Sequence, residues 1–357
     1  MIHEEITELE TTILDHNEAP FDIRRDIMFS LVSIMEQMVT GERKKGSETF
    51  DSFVGMIDKN FGKTMGWIAN MFPMVRYIPG DPFGLMEVIK DTVRNRAFMV
   101  NTVRRARDAE RNSIAKYYYE EMEKNLKNGK ETTQTERQLC ATIGNFFTAG
   151  IQSKTTTLCW ALLYLSRNPQ VQERMYKEIE SVIGVRQLPT LEDRANLPFC
   201  EATLMEVLRV ANVFPFGGPH QTNKDIFFRG YFIPKDTQVI ANFSSVLHDS
   251  KVFPNPEEFN PSRFLDEYGT INKPDEYIPF ALGKRICVGE NFARSELSLI
   301  LTSLVQRFEF LEPRNKELAT GVFVSAAERS PLPFDVIAKH RYANYTEMDQ
   351  DLYTYKE

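Results

Sequence analysis

The stretch from Thr135 to Ser166 constrains this chain more than any other. Ile143, Phe146, Phe147, Gly150, Ile151, Leu158, Leu162 and Leu165 recur over it near helical spacing, which predicts a helix of roughly thirty residues with a wide apolar surface. A surface that wide has to be covered by protein on most sides, so the helix runs through a core. A buried protein helix is a better reading than a membrane span, because Asn145, Gln152, Ser153 and Lys154 interrupt the apolar run and are costly in hydrocarbon. With 357 residues, 42% of them apolar and 26% charged, the chain can bury such a helix in one big domain or two ordinary ones.

The segments around it predict an architecture that is mainly α with a small β region (α+β). From Glu4 to about Lys127 the pattern is helical, with breaks at Pro20, at Gly41 to Gly46 and at Pro73 to Gly84. Thr92 to Asn128, basic in its first half and acidic in its second, predicts one solvated surface helix with a single apolar stripe. Asn168-Pro169 supplies an N-cap and a proline at the first position of a polar helix ending near Gly184. A short helix from Phe199 to Val210 carries Glu206 and Arg209.

Beyond Ala211 the runs IFFRGYFIP and TQVIANFSSV alternate between glycine and proline boundaries and predict short strands. Five prolines between Lys251 and Phe280 forbid regular structure there, and an irregular stretch that long in a compact protein usually serves a site. A final helix is expected from about Glu290 to Phe308, then a hairpin over 309–338 and a disordered tail over 341–357.

Charge and cysteine usage narrow the function. A net charge of −7 gives no reason to expect nucleic-acid binding. Four cysteines, at 140, 159, 200 and 287, show no paired spacing, which argues against a disulfide framework or a structural zinc and for a reducing compartment. The acidic, amphipathic first thirty residues lack the basic start and apolar run of a signal peptide.

The chemistry is concentrated in Phe280-Ala-Leu-Gly283-Lys-Arg285-Ile-Cys287-Val-Gly289. A helix starting just after Cys287 puts its N-terminal dipole near the sulfur and favours the thiolate. Glycines at 283 and 289 permit positive φ and a close approach of backbone to a flat macrocycle. Were a haem laid against this loop, Cys287 would ligate the iron, Arg285 would hold a propionate and Phe280 would cover the proximal face. A lone cysteine in a glycine-rich turn is ordinarily structural and buried; five fixed positions in ten residues reverse that preference.

F-x-x-G-x-R-x-C-x-G is the signature of the cytochrome P-450 family, which this chain resembles from its first helices to about Ala338. Glu206-Val-Leu-Arg209 is similar to the family's E-x-x-R pair, and Pro261-Ser-Arg263-Phe264 to the coil whose arginine completes that triad. Alone, Glu206 and Arg209 would be an ordinary i, i+3 surface pair. Pro215-Phe-Gly-Gly-Pro219-His220 followed by GYFIPKDTQV resembles the animal microsomal branch, a family-2-like clan in which the matching histidine contacts a propionate. The resemblance implies haem b (iron protoporphyrin IX), with Cys287, Arg285, His220, Phe280, Gly283 and Gly289 around it. It also implies an apolar substrate, dioxygen and an NADPH-dependent flavoprotein reductase, on the cytosolic face of the endoplasmic reticulum membrane.

Two departures from the family pattern bear on chemistry. Ala149-Gly150-Ile151-Gln152-Ser153 aligns with the family's A-G-x-acid-Thr segment on the distal side of the haem. Ser153 keeps a hydroxyl, whereas the amide of Gln152 can orient water but cannot cycle a proton as a carboxylate does. The family's membrane anchor, first sheet strands, substrate lid and propionate-clasping helix have no counterpart. Strands in the 213 to 245 region are therefore expected to expose edges and apolar surface, with the cytoplasm as the alternative location. Substrate contacts are expected from Phe146, Phe147, Gly150 and Ile151, from Val213 to Gly217, and from Phe323 to Ser325. Lys284, Arg285 and Arg294 are candidates for a basic face that receives the reductase. Three activities stay open: monooxygenation, rearrangement or dehydration of preformed peroxides, and a non-catalytic product.

Overall fold

A computed structural model describes residues 1–42, 73–80, 85–107, 111–130, 132–313, 322–324 and 328–342. The helices in it are α1 (Ile2–Asp15), α2 (Arg24–Thr40), α3 (Leu85–Arg107), α4 (Ile114–Lys127), α5 (Glu136–Arg167), α6 (Pro169–Val182), α7 (Pro198–Ala211), α8 (Phe243–Leu247) and α9 (Glu290–Arg307). The strands are β1 (His220–Gln221), β2 (Ile226–Phe228), β3 (Tyr231–Ile233), β4 (Gln238–Val239), β5 (Phe308–Leu311), β6 (Val322–Val324), β7 (Arg329–Pro331) and β8 (Ile337–His340). The protein is mainly helical with small antiparallel ladders, the α+β class that the sequence predicts. Two compact units divide it: Met1–Cys159 with Arg307–Lys316 and Pro333–Glu347, and Trp160–Gln306 with Glu317–Leu332 and Met348–Glu357.

In the first unit, Ile6, Leu9 and Ile13 of α1 and Ile27, Leu31 and Ile34 of α2 are buried at the i, i+3, i+4 spacing of packed helix faces. The α1–α2 corner is held by His16, which stacks on Phe21 at 3.9 Å and places Nε2 3.1 Å from Asp26 Oδ2. Phe21 exchanges both backbone hydrogen bonds with Val336, just ahead of β8. The expected helix over 92–128 is two helices, α3 and α4, because Ser113 caps a new start with its side chain accepting from the amide of Lys116. The core segment of α5 buries Ile143, Phe147 and Ile151.

The second unit begins in the last turns of α5. Asn168 does not cap α6 with its side chain; its Nδ2 donates back to the carbonyl of Tyr164 at 2.8 Å. Pro169 still opens α6, as a residue without an N–H can. The hairpin β2–β3 turns at Arg229 and Gly230, both at positive φ, the geometry that matches strand twist. Its Phe227 and Tyr231 are 77% and 75% exposed, which bears out the expectation of open apolar surface in this stretch. Instead of one hairpin over 309–338, β5 pairs with β8 in the first unit and β6 with β7 in the second. The tail beyond residue 342 lies outside the described residues.

Candidate functional site

The Cys287 loop is built by short local bonds. The amide of Cys287 donates to the carbonyl of Phe280 at 3.0 Å, and Ile286 N–H donates to Gly283 O at 3.1 Å across a 3-10 turn, Gly283–Arg285. Gly283 sits at φ +78°, where a side chain would be strained, so one of the two glycine expectations holds for the reason given. Gly289 is not at positive φ, and a Cβ there would meet Cys287 Sγ only at an ordinary contact distance of 4.0 Å, so neither strain nor crowding demands a glycine at that position. Helix α9 starts at Glu290, whose amide donates to Cys287 O at 3.3 Å, which leaves the sulfur beside the N-terminal turn. Cys287 is exposed, while Cys140, Cys159 and Cys200 are buried, so the structural-cysteine alternative does not describe it. Leu282, Ile286 and Val288 around it are exposed at 65%, 45% and 88%.

Basic groups near the loop sort into two kinds. Arg285 and Lys284 are exposed, and their side chains make no hydrogen bond or ion pair with the described residues. His220, exposed on β1 and paired through its backbone with Val239, likewise leaves its imidazole open. Arg294 does not belong to a basic face. Its side chain is 12% exposed, donates from Nε to Glu290 Oε1 at 2.9 Å and lies 3.7 Å from Glu201 Oε1. The i, i+4 position on α9 turns it inward.

Glu206 and Arg209 form a buried anchor rather than a surface pair. Arg209 donates from Nε and NH2 to the two carboxylate oxygens at 2.8 and 2.9 Å. Arg263 donates to Glu206 Oε1 at 3.0 Å, and the carbonyls of Leu247, Pro254 and Pro256 take further N–H groups of the two arginines. The irregular proline-rich coil is thus the acceptor cage of this triad.

On α5, Ser153 is half-buried and donates to Ala149 O at 2.6 Å. Gln152 is 2% exposed, on the packed side of the helix, with Oε1 unpartnered among the described residues. Phe147 and Ile151, expected at the substrate, are 1% and 0% exposed and pack into the core. Phe146, Gly150 and Ser153 stay only partly covered, on a neighbouring strip of the same helix. A Cβ on Gly150 would come within 3.1 Å of Met35 Cε on α2, the end of a flexible side chain that would have to shift slightly. In the loop after α7, Phe214 and Phe216 are exposed and Val213 is buried. Phe323 lies on β6, paired with Ser330, and Ser325 is outside the described residues.

A family model described as Cytochrome P450 matches residues 1–327. The chain belongs to the cytochrome P450 family. It is similar to Cytochrome P450 2U1 of Homo sapiens, 34% identical over 348 residues, covering 95% of this chain and 64% of that protein. Cytochrome P450 2K6 of Danio rerio is 34% identical over 88% of this chain and 63% of its own length. Cytochrome P450 2C3 of Oryctolagus cuniculus is 37% identical over 73% and 54%. The chain thus spans less than two thirds of the length of these cytochromes P450.

Cytochromes P450 bind haem, iron protoporphyrin IX. The Cys287 loop fits that group on its own features: an exposed thiol beside a helix N-terminus, apolar side chains open around it, and an arginine, Arg285, without a partner among the described residues and so open to a carboxylate. The structural parts of two residues at the P450 loop, Ala281 and Arg294, were not legible in the sequence. Ala281 sits at φ +67°, a conformation for which alanine gives no compositional signal. Arg294 lies with its guanidinium carbon 5.0 Å from the Phe280 ring and 5.5 Å from the Tyr277 ring; only its i, i+4 spacing from Glu290 hinted at a fixed position.

Proposed function

We propose that the protein is a haem-thiolate monooxygenase that inserts one atom of dioxygen into an apolar organic substrate, a lipid, organic acid or xenobiotic. The observation that carries this reading is the exposed Cys287 in its signature loop at the start of α9. Bound there, haem supplies the iron that activates oxygen, with the thiolate's electron density favouring O–O cleavage. Arg285 and His220 would hold the propionates, each being a cationic or donor group without a side-chain partner among the described residues. Phe280 would cover the proximal face, and Gly283 and Gly289 would keep the approach clear.

By family correspondence, α5 serves the distal side. Ser153 can turn its hydroxyl from Ala149 O to a substrate-side acceptor, and Gln152 can orient a water without itself supplying a proton. Phe146 on α5 is left partly open, in keeping with a substrate of that character. Electrons would come from an NADPH-dependent flavoprotein reductase at the cytosolic face of the endoplasmic reticulum. Among the described residues, no helix is long and apolar enough to cross a membrane.

Replacing Cys287 with Ala in the haem-loaded protein is expected to abolish the red-shifted carbon monoxide band of a thiolate-ligated haem. Persistence of that band would refute the assignment. Haem stoichiometry of the 357-residue chain tests whether this length suffices, with about one haem per chain expected. The amide at Gln152 favours one second reading, rearrangement of lipid hydroperoxides, which would turn over without reductase.

A further inference from the structure

We propose that Arg294 is the positioning residue of the Cys287 loop: by clamping the ring of Phe280 against the first turn of α9, it sets where the sulfur stands. This rests on Cys287 being the iron ligand and adds what holds that ligand in place.

From Leu282 to Val288 every residue of the loop is exposed. Inside it the bonds are local, so they shape the loop without fixing it to the body of the protein. Its two attachments are Phe280, whose carbonyl accepts the Cys287 N–H at 3.0 Å, and α9, which begins at Glu290. Arg294 touches both. Its guanidinium carbon is 5.0 Å from the Phe280 ring, and its Nε donates to Glu290 Oε1 at 2.9 Å.

The clamp is itself anchored. Glu201 of α7, 3.7 Å from Arg294, is held by two hydrogen bonds of 2.8 and 2.6 Å from Arg194. On the other side the Tyr277 ring, buried and set edge-on to Phe264 at 5.0 Å, stands 5.5 Å from the guanidinium. A planar cation can meet two rings and two carboxylates at once, which an ammonium cannot reproduce. Arg294 is therefore committed on every side, unlike Arg285 and Lys284, and serves position rather than recognition. The strained Ala281 next to Phe280 is the kind of backbone that persists only when its surroundings over-determine it.

Hydrogen exchange read by mass spectrometry on the full chain tests the clamp directly, with Arg294→Met, Arg294→Lys and Phe280→Leu beside the parent. Arg294→Met is expected to speed exchange of the Cys287 amide about tenfold, the loss of a desolvated cation–π contact and a charged hydrogen bond. The amides of α7 should keep the parent rate, Phe280→Leu should reproduce the effect, and Arg294→Lys should restore part of it. In haem-loaded full-length protein, Arg294→Met should move part of the carbon monoxide band from the thiolate position to that of a neutral thiol, and Arg294→Lys should move less. Unchanged exchange at Cys287, an equal rise throughout α7, or no effect of Phe280→Leu would each overturn the proposal. A parent without the thiolate band would sink the ligand assignment instead, leaving the exchange result to stand or fall by itself.

Discussion

Glu206 and Arg209, three residues apart on α7, meet through two parallel contacts of 2.8 and 2.9 Å with both side chains at 0% exposure. On a helix surface such a pair contributes a few tenths of a kcal/mol. Burial changes the magnitude: without Arg209, Glu206 keeps only the ion pair of 3.0 Å with Arg263, and breaking a buried pair of this kind costs about 3–5 kcal/mol. Arg209→Met should therefore lower unfolding stability by that amount in urea titration, with loss of order in the 254–263 coil. A loss under about 1 kcal/mol would mean that the pair is solvated.

Ala281 holds φ +67° without being glycine. The left-handed conformation costs an L-residue about 1–2 kcal/mol, and a glycine's extra freedom when unfolded returns about 0.4–1 kcal/mol of that. Ala281→Gly is expected to stabilise the protein by about 0.5–1 kcal/mol, measured as a higher urea midpoint at unchanged slope. Destabilisation would show that the alanine methyl makes a contact worth more than the strain.

Gln152 buries a carbonyl oxygen with no partner among the described residues. An unsatisfied buried acceptor costs about 1–3 kcal/mol, and Met matches the shape of Gln without that group. Gln152→Met should hold or raise the thermal midpoint. If the amide oxygen instead holds an ordered water that matters to folding, the midpoint falls.

His248, half-buried with Nδ1 3.2 Å from Ser244 O, titrates below its ordinary value because burial disfavours the imidazolium. Nearby Glu257 opposes this shift and Arg209 and Arg329 reinforce it. In the window below the unfolded value of 6.5, the unfolded chain takes up the proton first, so stability falls as pH drops. Chemical unfolding between pH 7 and 5 should show this slope, flattened in His248→Gln. A slope unchanged by that substitution would assign the acid sensitivity to another group.

The helices that position the site were legible because their apolar spacing is strong: α5 extends over Glu136–Arg167 where periodicity predicts Thr135 to Ser166. The signature loop was legible because several residue types with separate tasks fall at fixed spacing. Orientation was not. Periodicity across α5 marks a wide apolar surface without saying which side is filled, so Phe147 and Ile151 read as open while the structure packs them. Charge gave the wrong sense at Arg294, since a sequence records a cation but not the carboxylates of Glu201 and Glu290 that draw it inward. Asn168 does stand at the N-cap of α6 ahead of Pro169, but its side chain bonds the nearer carbonyl of Tyr164 instead of the helix amides.

Of the four thiols, three lie in the interior and one, at Cys287, faces outward. A bulky maleimide should then attach at a single place without mutagenesis, and coordination to iron would block that place. Counting labelled chains by intact mass would report the fraction of a preparation that carries no cofactor, an occupancy assay intrinsic to the native sequence.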